Sequence, residues 1–171
     1  VTRVRAADVR AILSRPGVIA VLPEDRVLAA PSVDDIARAI EARWLIEAKP
    51  RGSVDRVMIG TIASDAASPY FGARDRKAVI TRYDKTDVQL AALLTDVELI
   101  VLTGGGEPSP YLVDRVQGTR DDISVVVAHD DTVATMRLIE GLYGASRLDG
   151  SGKMLRAAEL LDEAGVPVTF D

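Results

Sequence analysis

An α/β fold with a mainly parallel sheet covered on both faces is what this sequence predicts, on three observations. Four short apolar runs, at 57–62, 78–81, 99–103 and 123–128, lack the polar alternation of a half-exposed strand. Stretches of helical spacing separate the last three, at 87–94 and 110–116, and a third follows at 132–142. Strands that alternate with helices pair in parallel, because each crossover helix returns the chain to the edge it left. At 171 residues the chain can bury one substantial core without a disulfide or metal staple.

Each element has its own signal. Val9, Ile12 and Leu13 share one face of a helix from Arg5 to Leu13, stopped by Arg15-Pro16-Gly17. Val18-Ile19-Ala20-Val21-Leu22 is a β-branched run ended by Pro23 and reads as a buried strand. Residues 23–31 read as a surface connection. Ser32 caps a helix carrying Val33, Ile36, Ala37 and Ile40, with Asp34 and Asp35 in the first turn where the helix dipole favours anions. Trp44-Leu45-Ile46 is a short strand, and Lys49-Pro50-Arg51-Gly52-Ser53 is a linker. The four βα runs follow. Residues 144–152 form a loop, with Ser151 as cap of a last amphipathic helix over 153–164. Val166-Pro167-Val168-Thr169-Phe170 is either a final edge strand or the lead into a further segment.

Composition removes whole classes of function. With no Cys and one His, thiolate zinc sites, iron–sulfur clusters, thiol nucleophiles and His-rich metal centres are excluded, so no metal and no cofactor is expected. A net charge of −5 and 4% aromatic residues oppose nucleic-acid binding, which draws on clustered cations and stacking rings. No apolar run approaches the ~20 residues that span a bilayer, and the first residues do not resemble a signal peptide. The expectation is a soluble, cytoplasmic protein with no membrane partner.

In a parallel sheet ligands bind beyond the carboxyl ends of the strands. The loops there carry Ser64, Asp65 and Ser68; then Arg82-Tyr83-Asp84-Lys85-Thr86-Asp87; then Thr103-Gly104-Gly105-Gly106; then His129-Asp130-Asp131-Thr132. The glycine run admits two readings: amides that approach a phosphate or carboxylate, or a tight turn in which a Cβ would clash. Taken alone, the turn is favoured. Arg82 and Lys85 can supply positive charge, with Asp84 or Thr86 capping the following helix. Asp131 or Thr132 reads as a helix N-cap in preference to a metal ligand or an acid–base group, because adjacent residues rarely converge on one ion. No Gly-x-Ser-x-Gly elbow exists. Gly150-Ser151-Gly152-Lys153 fails as a P-loop, since Arg147 stands where the first Gly belongs and Met154 follows the Lys. No residue is assigned a catalytic role.

Asp84-Lys85 after one strand, with Thr103-Gly104-Gly105 after the next, resembles the DRTGG domain family, named for an Asp-Arg and a Thr-Gly-Gly at matching places. The similarity runs from about Val54 to Gly144 and includes Ser68-Pro69-Tyr70-Phe71 and the Asp131-Thr132 turn. Residues 21–33 resemble the junction by which BioD-like modules join such a domain, as in the amino-terminal half of long bacterial phosphate acetyltransferases. Here Lys85 replaces the family's Arg, and the P-loop of a BioD-like ATPase is absent.

The resemblance implies a three-layer α/β/α sandwich like the amino-terminal domain of HPr kinase. It divides the chain into a junction at 1–53, a DRTGG-like domain at 54–144, and a carboxyl-terminal loop and helix at 145–171. It also implies a regulatory, ligand-sensing domain that forms a homodimer and lacks catalysis of its own. The expected ligand, a small anionic metabolite or nucleotide, would meet Asp84, Lys85, Thr103, Gly104, Gly105, Asp131 and Thr132. The alternatives are a small enzyme of phosphate or acyl transfer and a purely structural oligomerisation module.

Overall fold

Successive residues of the apolar runs part to opposite faces of one sheet, and each face finds its own helices. The structure, a computed structural model, describes residues 16, 22–49, 52–60, 69–145, 147–148 and 150–166. The expected helix at 5–13, residues 18–21 of the expected strand at 18–22, Ser64, Asp65, Ser68 and the tail beyond Val166 lie outside these. The chain forms two compact units, Ala30–Ser146 and Val1–Ala29 with Arg147–Asp171.

The larger unit contains α2 (Val33–Ala39), β1 (Arg43–Ile46), β2 (Arg56–Ile59), β3 (Lys77–Arg82), α3 (Thr86–Leu93), β4 (Val97–Thr103), α4 (Pro110–Thr119), β5 (Ser124–Val127) and α5 (Thr132–Glu140). Residues 69–72 add a helical turn. The five strands lie in the order β1-β5-β4-β3-β2. β2 to β5 are parallel, and β1 is an antiparallel edge, with Arg43 opposite Val127 and Trp44 opposite Val126. Residues 30–53, read from sequence as a junction and linker, thus contribute a helix and a strand to this unit.

Val79, Ile100, Leu102, Val125 and Val127 pack with Phe71, Val88 and Ala92, and with Leu112 and Val116 of α4. Ala78, Ile80, Leu99, Val101 and Val126 pack on the other face with Val33, Ile36 and Ile40 beside α2, and with Ile139 of α5. That makes three layers, as expected. Burial of such side chains stabilises by about 1.5–3 kcal/mol each, and strands buried on both faces need no polar alternation. One irregularity interrupts the β3–β4 ladder: Lys77 opposes Val97 and Ala78 opposes Leu99, leaving Glu98 as an extra residue.

The smaller unit contains α1 (Arg26–Ala29) and α6 (Ser151–Glu163). Residues 23–31 are therefore not all connection. Asp25 accepts from the amides of Val27 and Leu28 at 2.9 and 3.2 Å and holds Arg156 of α6 at 2.9 Å, which closes the short turn. Ser151 does not cap α6; Gly150 occupies that position at φ +83, a conformation that favours glycine, and makes no side-chain bond.

Candidate functional site

The carboxyl ends of β3, β4 and β5 form one rim. β3 leaves the sheet at Arg82, where the Tyr83 amide donates to the Thr103 carbonyl at 3.1 Å. β4 ends in Thr103, followed by Gly104 and Gly105 at φ +92 and +66. Their amides donate to the carbonyls of Asp130 and Ala128 at 2.9 and 3.0 Å, so the loops after β4 and β5 are zipped together. These neighbouring strands send their helices to opposite faces, α4 to one and α5 to the other. Open α/β sheets place ligands at such a divergence.

The zipped bonds decide between the two readings of the glycine run. Two amides that could cradle an anion are already spent on carbonyls, and positive φ explains Gly104 and Gly105 as turn residues. Gly106 has another reason: a Cβ there would stand 2.4 Å from the Tyr83 ring. The ring lies against the glycine backbone, and this close approach brings the loops of β3 and β4 together.

Buried hydroxyls cross beneath the rim. Thr81 Oγ1 donates to the Gly60 carbonyl at 2.9 Å. Thr103 Oγ1 reaches the Thr81 carbonyl at 3.3 Å and lies 2.8 Å from Thr132 Oγ1 at the start of α5. Asp131 caps that helix, its Oδ1 accepting from the amides of Val133 and Ala134 at 2.8 and 2.9 Å. Thr103, Gly104, Gly105, Asp131 and Thr132 are thereby brought together, with His129 beside Gly105.

Asp84 and Lys85 follow directly from Tyr83, but not as a helix cap. Asp84 takes a two-pronged bond from Arg82 at 3.0 and 3.1 Å. That bond holds its carboxyl below the usual carboxylate range and pushes the Arg82 guanidinium up. Neither Asp84 nor Thr86 caps α3, because Lys85 occupies the N-cap position and α3 has no side-chain cap bond. By contrast, Ser109 caps α4 by accepting from the Tyr111 amide at 3.3 Å. The Lys85 ammonium is exposed, and its charge helps to lower the Asp84 pKa.

Two features escape sequence reasoning. Gln89 is wholly buried, and its amide donates to the carbonyls of Arg82 and Tyr83 at 2.8 and 3.0 Å, tying α3 to the loop before it. Its signal was a lone polar residue between Val88 and Ala91 on the apolar side. Arg43 opens β1 and forms an ion pair with Glu107, just beyond the glycine run, at 2.7 Å. Nothing in the sequence pattern says that β1 runs antiparallel and so delivers Arg43 to the rim.

A second polar cluster occupies the opposite edge of the sheet. The buried Lys77 ammonium donates to the carbonyls of Arg74, at 2.7 Å, and Asp96, and burial lowers its pKa. Arg76 bridges Ser53 and Asp55, each at 2.9 Å. Glu98 presses its carboxylate against Gly52, where a Cβ would stand 2.5 Å from Oε2. Burial, with Asp96 adding to it, raises the Glu98 pKa. Among the described residues no group of three His, Asp or Glu side chains could hold a metal, and no helix is long and apolar enough to cross a membrane.

Comparison with known proteins gives this geometry a setting. The sequence model of the DRTGG domain matches residues 35–142. A phosphate acetyltransferase from Nitratidesulfovibrio vulgaris is 25% identical over 168 residues, covering 93% of this chain and 24% of that protein. The chain thus spans about a quarter of the length of that curated relative. The crystal structure of the CBS and DRTGG domains of the regulatory region of a Clostridium perfringens pyrophosphatase, complexed with its activator diadenosine tetraphosphate, matches at a TM-score of 0.58. The match covers 82% of this chain and 57% of that one at 18% identity, a likeness of fold.

Proposed function

This chain belongs to the DRTGG domain family, and from that premise we propose that it is a non-catalytic regulatory domain that senses a small anionic metabolite or nucleotide at the strand-end rim and acts as a homodimer. The observation that carries the ligand-sensing reading is the exposed Lys85 ammonium at the start of α3, a helix without a side-chain cap. The neighbouring helices α4 and α5 begin with filled caps. The amides of the first turn of α3 and the Lys85 charge together favour an anion. A lysine supplies a compact point charge where the family's arginine would supply a planar fork, so it constrains orientation less.

The known proteins lend support. One contains a DRTGG domain in a regulatory region whose activator is a dinucleotide polyphosphate, and another is a phosphate acetyltransferase of which this chain matches a quarter. On this reading the chain is a cytoplasmic regulatory piece associated with phosphate or acyl transfer. Residues ahead of 30 would carry the end of a BioD-like module.

Calorimetric titration with adenosine nucleotides, diadenosine tetraphosphate, acetyl phosphate and coenzyme A tests it. At least one anion should bind, and Lys85→Ala should weaken it about tenfold, the equivalent of 1.4 kcal/mol, without changing the melting temperature. Gly105→Val is unsuitable as a probe because its φ of +66 makes the variant unstable for backbone reasons. Sedimentation should show a dimer. A dimer that ignores every anion would make the domain a purely structural module, and a monomer would remove the dimer.

A further inference from the structure

We propose that residues 52–54 form a pH-sensitive strap, closed over Glu98 while that carboxyl is protonated and opened more often once it ionises. The strap lies at the amino ends of the strands, on the opposite edge of the sheet from the rim. It stands whether or not the rim binds an anion.

The strap holds the start of α2 in place. The Val33 amide donates to the Gly52 carbonyl at 3.1 Å, and the Val54 amide donates to the Pro31 carbonyl at 2.9 Å. Ser32 and Ser53 face each other in an antiparallel bridge between these two bonds. Ser32 is also the N-cap of α2, so whatever frees the strap frees the first turn of that helix. Arg76 ties the strap to the amino end of β3 through Ser53 Oγ and Asp55. Val54 is wholly buried with Val33 and Ile36. Lifting it exposes apolar surface, so the open form is a minor one whose share a charge can change.

Glu98 presses on the strap from beneath. It is the extra residue of the irregularity in β4, and its carboxyl fills the place of a Gly52 Cβ, which would stand 2.5 Å from Oε2 and 2.8 Å from Cδ. Glycine at 52 is what admits it. Around it stand Asp96 ahead of β4, Asp122 ahead of β5 and Asp55 ahead of β2, all repelling a negative charge, with Arg76 ahead of β3 attracting it. Arg120 also feels the Glu98 charge. Both cations are committed to other carboxylates, Arg76 to Asp55 and Arg120 to both oxygens of Asp122. The protonated carboxyl tolerates this setting, and the ionised one pays for both burial and repulsion.

Of the two parties the strap is the one that can yield. β4 lies inside the sheet, paired on both sides, whereas the strap is held by two backbone bonds and one arginine. Opening returns Glu98 to solvent, where it ionises at its ordinary 4.5; in the closed form burial and Asp96 raise that value. The open share is therefore lowest below pH 4.5, climbs as pH rises from there, and levels off above the raised value.

Hydrogen exchange of the whole chain at a series of pH values, expressed as protection relative to the free amide, tests the strap. The Val33 and Val54 amides should lose protection severalfold between about pH 4 and about pH 8. The Gly60 amide, bonded to the Ile80 carbonyl at the far end of the sheet, should not. Glu98→Gln should keep both strap amides protected across the range. Gly52→Ala, whose methyl would displace the carboxyl into solvent, should also remove the pH dependence. The titration of Glu98 is followed in parallel by NMR. A raised Glu98 value with unchanged protection at Val33 and Val54 would mean that the carboxylate swings free under a rigid strap, and the proposal is wrong. An equal loss at Gly60 would make the effect global, and a loss that persists in Glu98→Gln would belong to another group; either result overturns it.

Discussion

Tyr83 and Gly106 cannot be changed independently, because the ring occupies the space a Cβ at 106 would need. Gly106→Ala should destabilise the domain by about 1–3 kcal/mol, the usual cost of overpacking. In a Tyr83→Ala background the same change should cost much less. Urea unfolding of the two single variants and the double variant gives the coupling directly. Glu98 sets a pH dependence. Its pKa lies above the ordinary 4.5 when folded, so the folded state holds the proton more tightly. At pH values below the ordinary value both states are protonated and Glu98 is neutral in effect. As pH rises through the raised folded value, ionising a half-buried carboxyl lowers stability. Glu98→Gln should therefore stabilise the protein at about pH 8 and leave it nearly unchanged at about pH 4, by urea unfolding at both. The glycine run shows what was legible at this scale: Thr103-Gly104-Gly105 announced a special turn, but only the observed bonds from the two amides reveal that the turn is closed on Asp130 and Ala128.

Helix caps decide the elements around the rim, and their legibility varied for a physical reason. Ser32 was read correctly: its Oγ accepts from the Asp35 amide at 3.0 Å and donates to Asp35 Oδ2 at 2.9 Å. Burial pushes Asp35 up, but the bonds from Ser32 and Arg38 outweigh it and the pKa is lowered. Its contribution is present above the ordinary 3.8 and fades as pH falls through the lowered folded value. Ser32→Ala should cost about 1 kcal/mol at neutral pH. Asp131→Ala should cost a similar ~1 kcal/mol, with faster hydrogen exchange at the Val133 and Ala134 amides. Asp84 was misread because a closer partner, Arg82 two residues earlier, captures its carboxylate before the helix can. Local spacing proposes a cap, but competition among nearby donors decides it.

At the scale of the molecule, the α/β class and its two covered faces were legible because doubly buried strands leave continuous apolar runs. The place of β1 was not. Four residues carry little periodicity, and their pairing with β5 is a long-range fact. The Ala30–Ser146 unit contains all five strands and both core clusters. A fragment with these bounds should retain cooperative unfolding and the α/β circular dichroism of the whole chain, and a gradual transition would show that the smaller unit is required.

The strand order also carries a kinetic consequence. β2, β3, β4 and β5 lie in the sheet in the order in which they occur in the chain, so each can join a neighbour as soon as one short crossover has closed. β1 alone must wait for a partner that comes four strands later, and the entropy of closing that long loop falls on its four residues. Its pairing should form last and open first. Pulse-labelled exchange during refolding should find the β1 amides protected after those of β3 and β4. Because Arg43 is the first residue of this late strand, its ion pair with Glu107 ties the part of the sheet that is otherwise quickest to come apart to the loop after β4.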